Sequence, residues 1–136
     1  MHKLAIPMIA LAILIIPATA EIDGHIEKVD WMDSSISGAC PPIDFKPAIT
    51  ITNTGDEKAR FYLTVSVFDT ERGKERQTGC WSTQEIEPGD TALVGPYPLK
   101  LMSKYNSVRV TLFARSCLED NILDTDNHTV ELKSCS

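Results

Sequence analysis

Apolar residues recur at every second position in segment after segment of this chain, and no helix-length run repeats with a 3.6-residue period. In RFYLTVSVFD, Phe61, Leu63, Val65 and Val67 share one face while Tyr62, Thr64 and Ser66 take the other. SVRVTLFARSC sets Val108, Val110, Leu112 and Ala114 against Arg109, Thr111 and Arg115, and FKPAITIT sets Phe45, Ile49 and Ile51 against Thr50 and Thr52. One dry and one wet face with a period of two is what antiparallel strands show when two sheets pack face to face. Weaker strands are predicted in HIEKVDWM and HTVELK, and in TALVGPYPL. Pro96 and Pro98 in that last segment lack the amide hydrogen and belong on an edge or outside the ladder. Leu99 to Tyr105 is predicted to make one helical turn.

Turn chemistry separates these runs. Asn53-Thr54-Gly55-Asp56 and Glu87-Pro88-Gly89-Asp90 reverse the chain, Glu71-Arg72-Gly73-Lys74 closes a hairpin, and the Gly38-to-Pro42 bend ends the first strand. About seven antiparallel strands in about 115 residues predict an all-β fold, an immunoglobulin-like or fibronectin-III-like β-sandwich.

The ends change the picture of where the chain works. Residues 1–20, MHKLAIPMIALAILIIPATA, run from His2 and Lys3 through the apolar stretch Leu4 to Ile16 to the small residues Ala18-Thr19-Ala20. That order is a secretory signal peptide, with cleavage expected after Ala20. The apolar stretch is shorter than the ~20 residues that cross a bilayer, so no membrane span is expected after cleavage. Residues 21–136 then form one domain of 116 residues. The loss of Lys3 leaves twelve bases against nineteen acids, a net charge of −7. Nucleic acid and anionic membrane surfaces attract basic patches, so neither is an expected partner. Four cysteines in an exported chain predict two disulfides. Their spacings of 40, 37 and 18 residues lack the paired C-x2-4-C ligands of a zinc site.

Three features taken together resemble one family: ITITNTGDEKARFYLTVSVFD, the IEPGDTALVG turn and strand, and the acidic ending DNILDTDNHTVEL. In that order they are similar to CARDB domains, the cell-adhesion-related immunoglobulin-like modules of archaeal and bacterial surface proteins. The likeness covers most of residues 25–133. It implies a seven-stranded sandwich outside the cell, used for adhesion or for building surface structures, and it carries over no catalytic residues. Three cysteine pairings are open. A sandwich places Cys40 before the second strand and Cys135 after the last, at one end of the molecule, which favours Cys40–Cys135 and Cys80–Cys117.

The acidic ending is the first candidate for chemistry. Counted from Asp124, the fifth, sixth and twelfth positions are His128, Thr129 and Cys135, so the EF-hand spacing fails. A looser calcium site would draw on Asp120, Asn121, Asp124 and Asp126, against the plainer reading of a solvated turn whose side chains bond local backbone. Calcium is the one cofactor for which the sequence offers ligands. Asn127-His128-Thr129 is an N-x-T sequon, making Asn127 a glycosylation candidate. His25 and His128 lie in no context that activates a nucleophile or a metal-bound water, so an enzyme is not expected; His25 reads as exposed on the first strand. Trp31 and Trp81 are assigned to the core, Trp81 with the alternative of packing on the Cys80 disulfide. Tyr62, Phe68 and Phe113 fall on the wet faces of their strands and would form an aromatic interaction patch if those strands were neighbours, unless a loop covers them.

These features lead to a secreted or cell-surface-associated module that binds an extracellular protein or glycan without catalysis. The alternative is a structural subunit that self-associates, lending residues 21–33 to the open edge of its neighbour.

Overall fold

The computed structural model describes residues 21–95 and 98–135; the expected signal segment and Pro96 lie outside them. In chain order the strands begin with β1 (Gly24–Asp30), β2 (Ile43–Phe45), β3 (Ala48–Asn53), β4 (Ala59–Asp69) and β5 (Lys74–Gln77). They continue with β6 (Trp81–Ile86), β7 (Thr91–Val94), β8 (Leu99–Leu101), β9 (Tyr105–Phe113) and β10 (Ile122–Glu131). A one-turn helix, α1 (Asp33–Ile36), follows β1, and a 3-10 turn at Glu119–Asn121 precedes β10. All strand pairs are antiparallel, in three sheets: β1-β3-β7, β10-β9-β4-β5 with β6 also on β4, and the small pair β2-β8. The molecule is an all-β sandwich.

The alternation read in the sequence decides what faces inward. Phe61, Leu63, Val65 and Val67 on β4 are fully buried, as are Val110 and Leu112 on β9 and Ile49 and Ile51 on β3. Each such side chain contributes about 1.5–3 kcal/mol by leaving water. The Asn53–Asp56 turn is knotted to its surroundings. The Asn53 side-chain amide donates to the carbonyls of Ile86 (2.7 Å) and Glu57 (3.0 Å), and its Oδ1 accepts from the Gly55 amide (2.9 Å). Gly55 has no room for a side chain: a Cβ there would sit 2.6 Å from the Glu21 carbonyl oxygen and 2.7 Å from the Asp23 nitrogen.

Three elements differ from expectation. Leu99–Leu101 is a strand, not a helical turn, because pairing with β2 sets Leu99 opposite Phe45 and buries Leu101. The strand β6 was hidden by its polar sequence WSTQEI. Its Thr83 is buried and its hydroxyl accepts from the Phe61 amide (3.0 Å) where the β4–β6 register slips. A side-chain oxygen thus substitutes for a ladder carbonyl, and the apolar period disappears. Thr78 does the same for the Val65 amide (2.9 Å) where β4 changes partner from β5 to β6. Finally, most of the acidic ending is no turn. Ile122 to Glu131 is one strand paired along β9, and only Glu119–Asn121 turns.

The cysteines pair as Cys40–Cys135 and Cys80–Cys117, with Cα atoms 5.8 and 5.9 Å apart. Among the described residues no helix is long and apolar enough to cross a membrane.

Candidate functional site

Strand β1 ends in an aspartate turn, where the Met32 amide donates to Asp30 Oδ1 (3.0 Å). Met32 then takes a left-handed backbone conformation (φ 60°), and its carbonyl accepts from the Ser35 and Ile36 amides to start α1. Ile36 is buried and holds the turn against the core. This places Asp33, the first residue of α1, over the middle of β10. There His128 Nε2 lies 3.0 and 3.1 Å from the two Asp33 carboxylate oxygens. The His128 ring also stacks on Trp31, with centroids 4.9 Å apart and planes 17° from parallel. Trp31 stacks in turn near the buried Phe45, at 6.4 Å and 6°. Trp31 is therefore only partly buried, a flat wall between the core and His128 rather than a core residue proper.

Beside this column lies a groove of about 570 Å3, walled by α1, β10 and the segment that follows it. Asp33, Ser37, Lys104, His128, Glu131 and Lys133 supply its polar groups. The Lys104 ammonium sits 4.0 Å from Glu131 Oε1 and 5.0 Å above the Tyr105 ring. The frame is closed covalently by Cys40–Cys135, and the Leu132 and Lys133 amides donate to the carbonyls of Lys104 (2.7 Å) and Ala39 (2.9 Å). Two carboxylates, two ammonium groups and hydroxyls on a fixed backbone can hydrogen-bond a polar ligand in both directions. The one imidazole in the groove holds its Nε2 against the Asp33 carboxylate. No local signal foretold this: Asp33 and His128 are 95 residues apart in sequence.

The residues singled out from sequence are dispersed. Asp120 and Asn121 lie in the 3-10 turn, where the Asn121 side-chain amide donates to Ser116 Oγ (2.9 Å). Asp124 Oδ2 accepts from the Ile26 amide and Oδ1 from its neighbour Thr125, both at 2.8 Å. Among the described residues no three His, Cys, Asp or Glu side chains gather as metal ligands would, so Asp120, Asp124 and Asp126 are not brought together as a calcium site. The aromatic patch is also corrected. β4 and β9 are neighbours, but Phe113 is only 6% exposed, opposite Tyr62, where the 114–121 connection turns back and is pinned to Cys80. Phe68 stands exposed at the other end of β4, opposite Ser107. It borders a shallow recess of about 170 Å3 shared with Arg109 and Asn127. Asn127 is exposed on β10, and its Oδ1 accepts from Arg109 Nε (3.1 Å).

One buried acid stands apart. Asp69, at the end of β4, is 2% exposed and accepts from the Ser103 hydroxyl and the Glu71 and Arg72 amides (both 3.1 Å). Burial pushes its carboxyl up; the Ser103 and amide hydrogen bonds and the Arg72 charge together outweigh that and hold it below the usual range.

Neither a sequence-family profile nor any curated protein sequence matches the chain. Solved structures do match in shape. A β-glucuronidase of Bacteroides uniformis superposes with a TM-score of 0.63 at 15% identity, over 81% of this chain and 14% of its own. A putative β-galactosidase from Bacteroides fragilis matches at 0.57 and 16%, over 80% of this chain and 17% of its own. β-Glucosidase 3B from Thermotoga neapolitana matches at 0.53 and 13%, over 85% and 16%. At these identities the likeness is one of fold, to β-sandwich domains within glycoside hydrolases. This chain spans about a seventh of the first of those enzymes.

Proposed function

We propose that this chain is a non-catalytic module that works outside the cytoplasm by binding a glycan, or a protein, in the groove beside Trp31 and His128. The groove's lining carries the reading: carboxylates, ammonium groups and hydroxyls converge on a backbone fixed by a disulfide. A sugar offers hydroxyls that both donate and accept, and it needs side chains already held in place, since ordering them on binding costs affinity. The pairs Asp33–His128 and Lys104–Glu131 hold one another in position. Two disulfides fit an oxidising compartment, and the sequence likeness to CARDB modules agrees with an adhesive role at a cell surface. Sandwiches of this shape within a β-glucuronidase and a putative β-galactosidase put a glycan ahead of a protein as the ligand to try first.

The test is a glycan array followed by calorimetry on the best binders. Asp33 and Glu131 are exposed, so Asp33→Ala and Glu131→Ala should fold normally and weaken binding at least about tenfold. Undiminished binding in both variants, or release of product from the glycan, would overturn the proposal. The alternative, a subunit lending residues 21–33 to a neighbour, meets one obstacle: Gly24 to Asp30 is already paired with β3 in its own sheet.

A further inference from the structure

We infer that the open seam between β6 and β7 is a docking site for an extended, uncharged segment of a partner polypeptide, which adds to the free edge of β7 as a fourth strand of the β1-β3-β7 sheet. Among the described residues β7 pairs with β3 alone, along Ile49–Thr52, and β6 pairs with β4 alone. The Glu87–Asp90 turn joins the two strands, yet they belong to different sheets. Their hairpin is splayed, and a recess of about 300 Å3 lies between them.

Three observations say what fits there. A free strand edge presents backbone N–H and C=O groups at strand spacing, and the complement of such a row is another strand. The recess is lined by Trp81, Thr83, Gln84, Ala92, Leu93 and their neighbours, none of them ionisable. A charged side chain entering it would therefore lose water without gaining a partner. Leu93 projects from the free strand at 73% exposure, and the indole Nε1 of Trp81 is buried with no acceptor among the described residues. Apolar surface in water thus stands beside a free backbone edge.

A second copy of the chain is the weaker occupant. Edge-to-edge pairing would engage the four residues of β7 on each side, far fewer than the ~20–30 residues a side of stable interfaces, and would leave the recess empty. A strand supplied by a partner pairs along β7 and sends alternate side chains into the recess over Trp81. This site is separate from the groove and does not rest on the reading given for it.

The test titrates a capped peptide of alternating threonine and valine, about eight residues long, into the isotope-labelled protein and follows amide and indole resonances. The expected result is a saturable shift confined to Trp81–Gln84, the Trp81 indole N–H and Ala92–Gly95, with slowed amide exchange in β7. Leu93→Lys should weaken binding at least about tenfold, or 1.4 kcal/mol. The melting temperature should stay within about 2 °C, because a side chain this exposed carries little stability. No shift at millimolar peptide, or shifts centred elsewhere, would overturn the inference. So would a concentration-dependent dimer of the peptide-free protein that Leu93→Lys abolishes, since that result assigns the seam to a second copy.

Discussion

The two long sides of the sandwich are finished differently. On one, β10 runs against β1, and each carries a register slip near the contact, at Ile122/Asp124 and at Ile26/Lys28. The Ile26 amide, beside the slip, donates to the Asp124 carboxylate, so a side chain from the opposite sheet takes the place of a missing strand. On the other side, β6 and β7 splay apart with a leucine in water. Bulges and inward carboxylates are the usual means of blunting an edge against unwanted pairing. Both seams carry a bulge, since β6 also slips against β4, but only the first adds a carboxylate that answers an edge amide, and that separates the edge the fold has closed from the edge it leaves available.

A disulfide stands near each seam, and removing them one at a time should give the largest effects. Cys40–Cys135 spans 95 residues at the end of β10, and Cys80–Cys117 spans 37 at the start of β6. Restriction of the unfolded chain makes each worth about 2–4 kcal/mol, the longer loop by under about 1 kcal/mol more. Thermal unfolding of Cys40→Ser/Cys135→Ser and Cys80→Ser/Cys117→Ser should preserve that order. Only the first should also lose groove binding, because Lys133 and Ser134 line the groove beside Cys135. A larger loss from the second pair would show the open side to be held mainly by its bridge.

The side that bears the open seam is firm at its other end, where Asp69 fastens the β4–β5 turn. Asp69→Asn should cost about 1–3 kcal/mol, since buried donors lose a charged acceptor. Its acid dependence has a definite sign. The folded-state carboxyl is held below its ordinary value near 3.8, so its contribution is present above that value and is lost as pH falls through the depressed one. Urea melts of the protein should weaken in that acid window, and those of Asp69→Asn should weaken less. Equal acid slopes would contradict the role given to Asp69.

How far the sequence disclosed this contrast depends on the reach of each interaction. Phe61 to Val67 and Val108 to Leu112 announced themselves because burial of a strand face writes a two-residue period into neighbouring positions. The cysteine pairing followed from where a sandwich brings its ends. The strand β6 was illegible, because Thr83 and Thr78 supply ladder acceptors from their side chains and so replace apolar residues with polar ones. Asp124 was read as a calcium ligand or a turn residue, whereas its oxygen answers an amide 98 positions earlier. The groove was invisible for the same reason: the Trp31, Asp33 and His128 contacts join the two ends of the domain. The strand edges are properties of topology alone.

Asp124 tests the closed seam directly. Asp124→Ala leaves the Ile26 amide without its acceptor in a partly buried place, at a cost of about 1–2 kcal/mol, and amide exchange at Ile26 should accelerate by about a factor of ten or more. Asp124→Asn keeps a side-chain oxygen for the bond and should recover about half of that loss. If neither variant changes Ile26 exchange, β3 and the bulge geometry protect this edge unaided, and the difference between the two seams narrows to the splay of β6 from β7.

The smallest effect is expected at Leu93, and its smallness is the informative outcome. A leucine 73% exposed on a free edge contacts little of its own domain, so Leu93→Thr should change stability by no more than about 0.5 kcal/mol. Threonine brings the β-branched shape that strands favour and removes most of the apolar surface, so the backbone edge survives while its apolar contact is withdrawn. A domain indifferent to this change in isolation has left Leu93 out of its own packing. A loss above 1 kcal/mol would instead mean that Leu93 closes over Trp81 in solution, and that this seam is finished from within, as the β1–β10 side is by Asp124.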